Sequence, residues 1–213
     1  KDLIERRALD LTQTTSVVLD EADRMLDMGF MPDMKFIMGQ MPKVRHTLFF
    51  SATMSKEIEK LIGEFLHEPV KISVKTQDTS KNVDQDIVRM KAGEDKLQVL
   101  ENILKHEGSD KVLIFGRTKH GVERLAKTLV VRGFKADSIH GDKSQGQRQR
   151  ALDAFKKDQL QILVATDVAA RGLDIPLVSH VINYDLPATY EDYIHRIGRT
   201  GRAGAVGKAL TFV

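Results

Sequence analysis

The sequence predicts an α/β fold built on a doubly wound parallel sheet. Three observations point there. From about residue 83 onward, apolar segments alternate regularly with segments of helical periodicity. Several of the apolar segments, such as Val112-Leu113-Ile114-Phe115, are continuous, as strands covered on both faces are. Strand–helix alternation of this kind is the pattern of parallel strands joined by helical crossovers.

Taken in order, a helix is expected over the first ten residues and a buried strand at 16–19. A short Met-rich helix follows at 30–42, its methionines read as core filler. A second strand, TLFF at 47–50, runs into Ser51-Ala52-Thr53. The next helix, 55–66, places Ile58, Leu61, Ile62 and Phe65 on one face. Residues 1–75 therefore hold two strands, too few for a stable sheet of this type. The polar stretch 76–82 reads as a linker. Residues 83–213 form the second, nearly complete domain. Its expected strands are 86–90, 112–115, 135–140, 161–165, 180–184 and 208–213. Its expected helices are 94–106 (Leu97, Leu100 and Leu104 on one face), 119–132 (Val122, Leu125, Ala126 and Leu129), 145–157 and 190–197 (burying Tyr190, Tyr193, Ile194 and Ile197). Ser144 with Gln147 three residues later makes a capping box for the third of these.

Composition narrows the function. The chain has 213 residues, 41% hydrophobic and 30% charged, with no apolar run near the ~18 residues of a membrane span. It has no cysteine, which removes disulfides and thiolate metal sites. Its seven histidines lack zinc-ligand spacing. Net charge is −2 over residues 1–80 and +5 over 81–213, so the basic excess that suits a polyanion lies in the second half. The chain starts at Lys1 and stops inside an apolar stretch, and it reads as a fragment of a longer protein.

The chemistry-bearing stretches sit where strands end, the favoured ligand position in α/β sheets. Asp20, Glu21 and Asp23 follow the first strand. Clustered carboxylates need a cation or a donor network, and acids at such a place commonly hold Mg²⁺ against a nucleotide phosphate. The phosphate-gripping partner, GxxxxGK[ST], is missing: the only Gly-Lys pair is Gly207-Lys208, with Arg at 202 and Ala at 209. Far downstream, HRIGRTGR (195–202) carries Arg199 and Arg202 on a glycine-flanked backbone. They read either as arginine fingers on a γ-phosphate or as a basic loop on a surface carboxylate. Thr166 and Asp167 follow the strand 161–165, and Arg171-Gly172 and Asp174 come soon after. Gln145 and Arg148 occupy the first turn of a helix, which favours phosphate. The alternative for Arg148 is a surface pair with Asp142.

In order, the chain reads DEAD, SAT, IFGRT, HGDKSQGQR, ATDVAARGLD and HRIGRTGR. Together these resemble the DEAD-box RNA helicases of helicase superfamily two, from about residue 10 to the end. The stretch from Arg117 to Leu152 looks most like bacterial members of the RhlE type. The resemblance implies RecA-like domains, the tail of a first and most of a second. It implies an ATP-dependent, cytoplasmic RNA helicase with ATP and Mg²⁺ as cofactors, RNA as partner and no membrane. Asp20 would hold Mg²⁺ through water, and Glu21 would orient the attacking water or act as base. Asp23, Ser51, Thr53 and His195 would couple nucleotide state to domain closure. Arg199 and Arg202 would face the γ-phosphate and Asp174 the ribose. Thr118, Gln145, Arg148, Thr166 and Arg171 would contact RNA phosphates and 2′-hydroxyls. Two rivals remain: an RNA-binding clamp without hydrolysis, and a DNA translocase of the same superfamily, against which DEAD and SAT weigh.

Overall fold

The computed structural model describes residues 1–73, 82–106, 109–170, 173, 175, 178–201 and 205–213. The chain divides into two units, Lys1–Val74 and Lys75–Val213, each holding its own sheet.

In the first unit the elements are α1 (Asp2–Glu5), β1 (Ser16–Leu19), α2 (Ala22–Asp27), α3 (Met31–Gly39), β2 (His46–Phe49) and α4 (Lys56–Phe65). β1 and β2 pair in parallel, Ser16 opposite His46 through Leu19 opposite Phe49, with α2 and α3 in the crossover. α4 starts at Ser55, whose side chain accepts from the Ile58 N–H. Its buried Ile58, Leu61 and Ile62 form a small core with Leu26, Met31, Phe49 and Phe65.

Two expectations are corrected in this unit. The strand at 16–19 is not buried throughout: Val17 and Leu19 are half-buried, while Val18 is 57% and Leu48 40% exposed. A two-stranded sheet whose described helices form one small core cannot bury both faces, so the pleat shows as alternation. The ten-residue N-terminal helix is a single turn, because α1 buries no side chain and a short helix without a packed face is marginal. A helix the sequence reading missed, α2, comes directly after the acids.

The second unit runs β3 (Val83–Val88), α5 (Lys96–Leu104), β4 (Val112–Phe115), α6 (Lys119–Val131), β5 (Ala136–Ile139), α7 (Gln145–Lys156), β6 (Ile162–Ala165), α8 (Asp167–Ala170), β7 (His180–Asn183), α9 (Tyr190–Ile197) and β8 (Gly207–Phe212). The six strands are all parallel in the order β3-β8-β7-β4-β6-β5. Successive residues of the central strands supply opposite cores. Val112 and Ile114 of β4 pack with Leu100, Leu104, Val122, Leu125 and Leu129 of α5 and α6. Leu113 and Phe115 pack with Leu152, Phe155, Ile175 and Val181. This is why β4 and β6 are wholly apolar: neither face meets water.

β3 begins three residues before its apolar pattern does, because pairing with β8 extends back to Val83 opposite Gly207. It is an edge strand, and Asp84 and Asp86 stand exposed along it. α7 has the expected capping box between Ser144 and Gln147. In α9 the expected burial of Tyr190 is corrected: it is 72% exposed and stacks on Tyr193 at 6.2 Å. The helix buries Ile197 as expected and turns Arg196 inward beside it.

Candidate functional site

In the first unit the acids sit at the carboxyl end of β1. Asp20 is exposed, and its Oδ1 accepts from the Glu21 N–H at 2.9 Å. Glu21 caps α2 in the left-handed conformation, φ 50° and ψ 44°. That geometry costs a non-glycine residue roughly 1–2 kcal/mol. Strain of this kind clusters at functional positions. The next residue is held by an Ala22 N–H bond to the Phe50 carbonyl at 3.0 Å. Asp23 is buried, 5% exposed. Its Oδ2 accepts from the Ala52 N–H at 3.1 Å, the Thr53 N–H at 3.0 Å and the Thr53 hydroxyl at 3.1 Å. Ser51 instead donates to the Thr53 carbonyl at 2.7 Å. The structure thus brings Asp23 and Thr53 together, with Ser51 stiffening the same turn. The donor network that a buried carboxylate needs is the backbone after β2.

The donor chemistry at Asp20 suits Mg²⁺. That ion takes hard oxygen ligands and keeps several waters, so one or two carboxylates beside nucleotide phosphates suffice. Asp20 offers one such carboxylate on an exposed strand end. Among the described residues, no group of three or more His, Cys, Asp or Glu could enclose a metal alone.

In the second unit the RNA candidates come from three adjacent strands. Thr118 follows β4, Gln145 and Arg148 lie in α7 after β5, and Thr166 follows β6. Thr118 is the N-cap of α6; its oxygen accepts from the Gly121 N–H at 3.0 Å, leaving the hydroxyl hydrogen for another acceptor. Gln145 is exposed at the start of α7 and Arg148 is half-buried one turn on. The proposed surface pair of Arg148 with Asp142 is not formed. Asp142 binds Lys119 at 2.8 Å, and that ammonium holds its carboxyl below the usual carboxylate range. The Arg148 Nε is buried without a hydrogen-bond partner among the described residues. Thr166 is half-buried at the end of β6.

α9 follows β7 and carries His195, half-buried, with Arg199 just past its end. Arg199 Nη1 donates to the Leu173 carbonyl at 2.9 Å. The glycines here serve fit more than looseness. Gly201 has φ 67°, and a Cβ on it would lie 2.8 Å from the Asn82 carbonyl oxygen and 2.7 Å from Val83 Cγ2. Arg171, Asp174 and Arg202 lie outside the described residues.

Sequence reasoning missed Arg196. Its guanidinium is 2% exposed and forks onto Asp167, Nε to Oδ1 at 2.6 Å and Nη2 to Oδ2 at 2.8 Å. Nη1 donates to Asn183 Oδ1 at 3.2 Å and to the Asp185 carbonyl at 2.7 Å. The available signal was position: Arg196 falls between Tyr193 and Ile197 on the helix face that packs inward.

The DEAD/DEAH box helicase family model matches residues 1–61, and the helicase conserved C-terminal domain model matches residues 95–204. The ATP-dependent RNA helicase CshA of Listeria monocytogenes is 46% identical over 213 residues, covering 100% of this chain and 41% of its own length. The DEAD-box ATP-dependent RNA helicase CshA of Bacillus subtilis is 45% identical, with 100% and 43% covered. The chain thus spans less than half the length of these curated relatives. Of the solved structures, a DEAD box protein from Methanococcus jannaschii matches with a TM-score of 0.59 at 41% identity, over 100% of this chain and 57% of that one. Saccharomyces cerevisiae Dbp5 bound to RNA and ADP BeF3 matches with a TM-score of 0.84 at 34% identity, over 100% and 56%.

Proposed function

The chain belongs to the DEAD-box helicase family, and on that premise we propose that it supplies part of an ATP-driven RNA-remodelling site. Its parallel sheet is then the RecA-like fold of that family. Residues 1–75 are the C-terminal part of a first RecA-like domain, 76–82 a linker and 83–213 the second domain. ATP-driven closure of two such domains would bend one strand of an RNA duplex and release the other.

The observation that carries this reading is the grouping of Thr118, Gln145, Arg148 and Thr166 at the carboxyl ends of β4, β5 and β6. Hydroxyl, amide and guanidinium donors there suit phosphate oxygens and 2′-hydroxyls, contacts that carry little base information. Asp20 would hold Mg²⁺ through water, and the ion would neutralise phosphate charge. Glu21, held by its strained backbone, would aim its carboxylate at the attacking water. Arg199 and Arg202 would meet the γ-phosphate and Asp174 and Arg171 the ribose and RNA. Asp23, Ser51, Thr53 and His195 would report nucleotide state. We assign the protein to the cytoplasm, where RNA and ATP meet; no described helix is long and apolar enough to cross a membrane.

A second reading, an RNA clamp without hydrolysis, is favoured by one observation, the lack of a GxxxxGK[ST] loop in these 213 residues. The test separates them. In a protein of the family's full length containing this chain, Arg199→Ala lowers kcat on the order of 10³-fold and spares RNA binding without nucleotide. Arg148→Ala weakens RNA binding and flattens its salt dependence by about one unit of slope. A wild type with RNA binding but no RNA-stimulated ATPase supports the clamp. An Arg148→Ala variant with the wild-type salt slope removes the RNA assignment.

A further inference from the structure

We infer that Arg196 is a positioning residue that locks the RNA-facing strand ends to the helix carrying His195 and Arg199. It binds neither ligand itself. The inference rests on the proposed function, since it takes Thr118 and Thr166 as RNA contacts and α9 as the nucleotide-facing helix.

The geometry is a hub. β7, β4 and β6 are consecutive in the sheet, and the guanidinium of Arg196 makes a contact at the carboxyl end of each. After β6 it forks onto both oxygens of Asp167, the residue next to Thr166. At the end of β7 it reaches Asn183 Oδ1 and the Asp185 carbonyl. At the end of β4 it lies over the Phe115 ring, 5.1 Å from its centre. Asp185 extends the link to the same loop, because its Oδ2 accepts from the Arg117 N–H at 2.8 Å, one residue before Thr118. Asn183 passes it to β8, donating to Thr211 Oγ1 at 3.0 Å.

Of the acceptors, Asp167 adjoins the proposed RNA contact Thr166, Asn183 ends the central strand β7, and Asp185 holds the Arg117 N–H beside Thr118. The donor follows His195 directly and precedes Arg199 by three. A buried guanidinium in a bidentate fork has one geometry, fixed by its planarity. A shift of Thr166 or Thr118 on RNA binding cannot leave α9 behind without breaking bonds that a 2%-exposed group cannot replace with water. This is a contiguous physical connection between two sets of residues, and it predicts energetic coupling.

Lysine keeps the charge and loses the fork, so Arg196→Lys is the informative variant. The experiment uses a protein of the family's full length containing this chain, a single-stranded oligouridylate as the RNA probe, and amide hydrogen exchange. In the wild type, saturating RNA slows exchange in the 116–118 loop and also at 197–200. In Arg196→Lys the loop still responds, but the effect at 197–200 falls by about threefold or more. A simple structural role predicts faster exchange in both places whether or not RNA is present, with the RNA-induced difference at 197–200 unchanged; that result overturns the inference. Asp167→Asn, which keeps the shape and weakens the fork, is the second variant. It should lose the same response, and its retention would also overturn the inference. If the wild type binds no RNA, the proposed RNA function itself falls and takes this inference with it. If it binds RNA and 197–200 do not respond, only the inference falls.

Discussion

Asp23 and Thr53, thirty residues apart, meet through one oxygen: Asp23 Oδ2 accepts from both the N–H and the hydroxyl of Thr53, at 3.0 and 3.1 Å. The Ala52 N–H, at 3.1 Å, completes the set. This joins the start of α2 to the turn after β2, and ties the two polar stretches of the first unit into one piece.

The contact has unequal halves. Asp23→Ala strips two backbone donors of their acceptor, which costs about 2–4 kcal/mol at a buried site. Thr53→Val removes one hydroxyl bond and keeps the backbone pair, at about 1 kcal/mol. Urea unfolding of the chain and both variants measures this, read from the transition of residues 1–74. Equal losses would mean that the backbone donors do not depend on Asp23.

Gly201 is a position where only glycine fits. Its φ is 67°, and a Cβ would lie 2.8 Å from the Asn82 carbonyl oxygen. Gly201→Ala meets both the left-handed penalty and a contact with backbone that cannot rotate away, together about 2–4 kcal/mol. Gly146, in α7, has nothing within 4 Å of the same hypothetical atom. Gly146→Ala should therefore be neutral or slightly stabilising, by up to ~1 kcal/mol. Thermal melts of the two variants test the contrast, and similar melting temperatures would contradict it.

Glu123 sets an acid limit on the second unit. Its carboxyl is held at about 2, below the ordinary 4.5, chiefly by the Ser138 hydroxyl, then by His140, with Lys127 and Lys143 adding positive charge nearby. A carboxyl that titrates lower when folded contributes its full stability above about pH 4.5 and loses it as pH falls toward 2. Glu123→Gln should be less stable than the wild type at pH 7. The gap should narrow through that window as the wild type becomes protonated. Melting temperatures across a pH series measure the gap, and a constant difference down to pH 2 would refute the assignment.

The sequence by itself determined the parallel α/β class, because β4 and β6 are so uniformly apolar that only burial on both faces accommodates them. It also determined α4, α6 and α7, whose apolar spacing and capping residues act within a few positions of one another. The polar stretches were legible too, since short motifs are contiguous in the chain.

Tertiary structure decided the rest, through contacts between distant residues. β3 starts at Val83 because β8 offers hydrogen bonds there, although its own sequence is polar. The alternation in β1 depends on which of its faces is covered. Arg148 and Asp142 are close in sequence, yet Asp142 is taken by Lys119 from another strand end. Arg196 and Asp167 look like two more charges on a basic, polar chain until folding removes the water around Arg196. A guanidinium with no solvent to turn to must find its acceptors inside the protein, and which carboxylate supplies them is settled only when β6 and α9 are brought side by side.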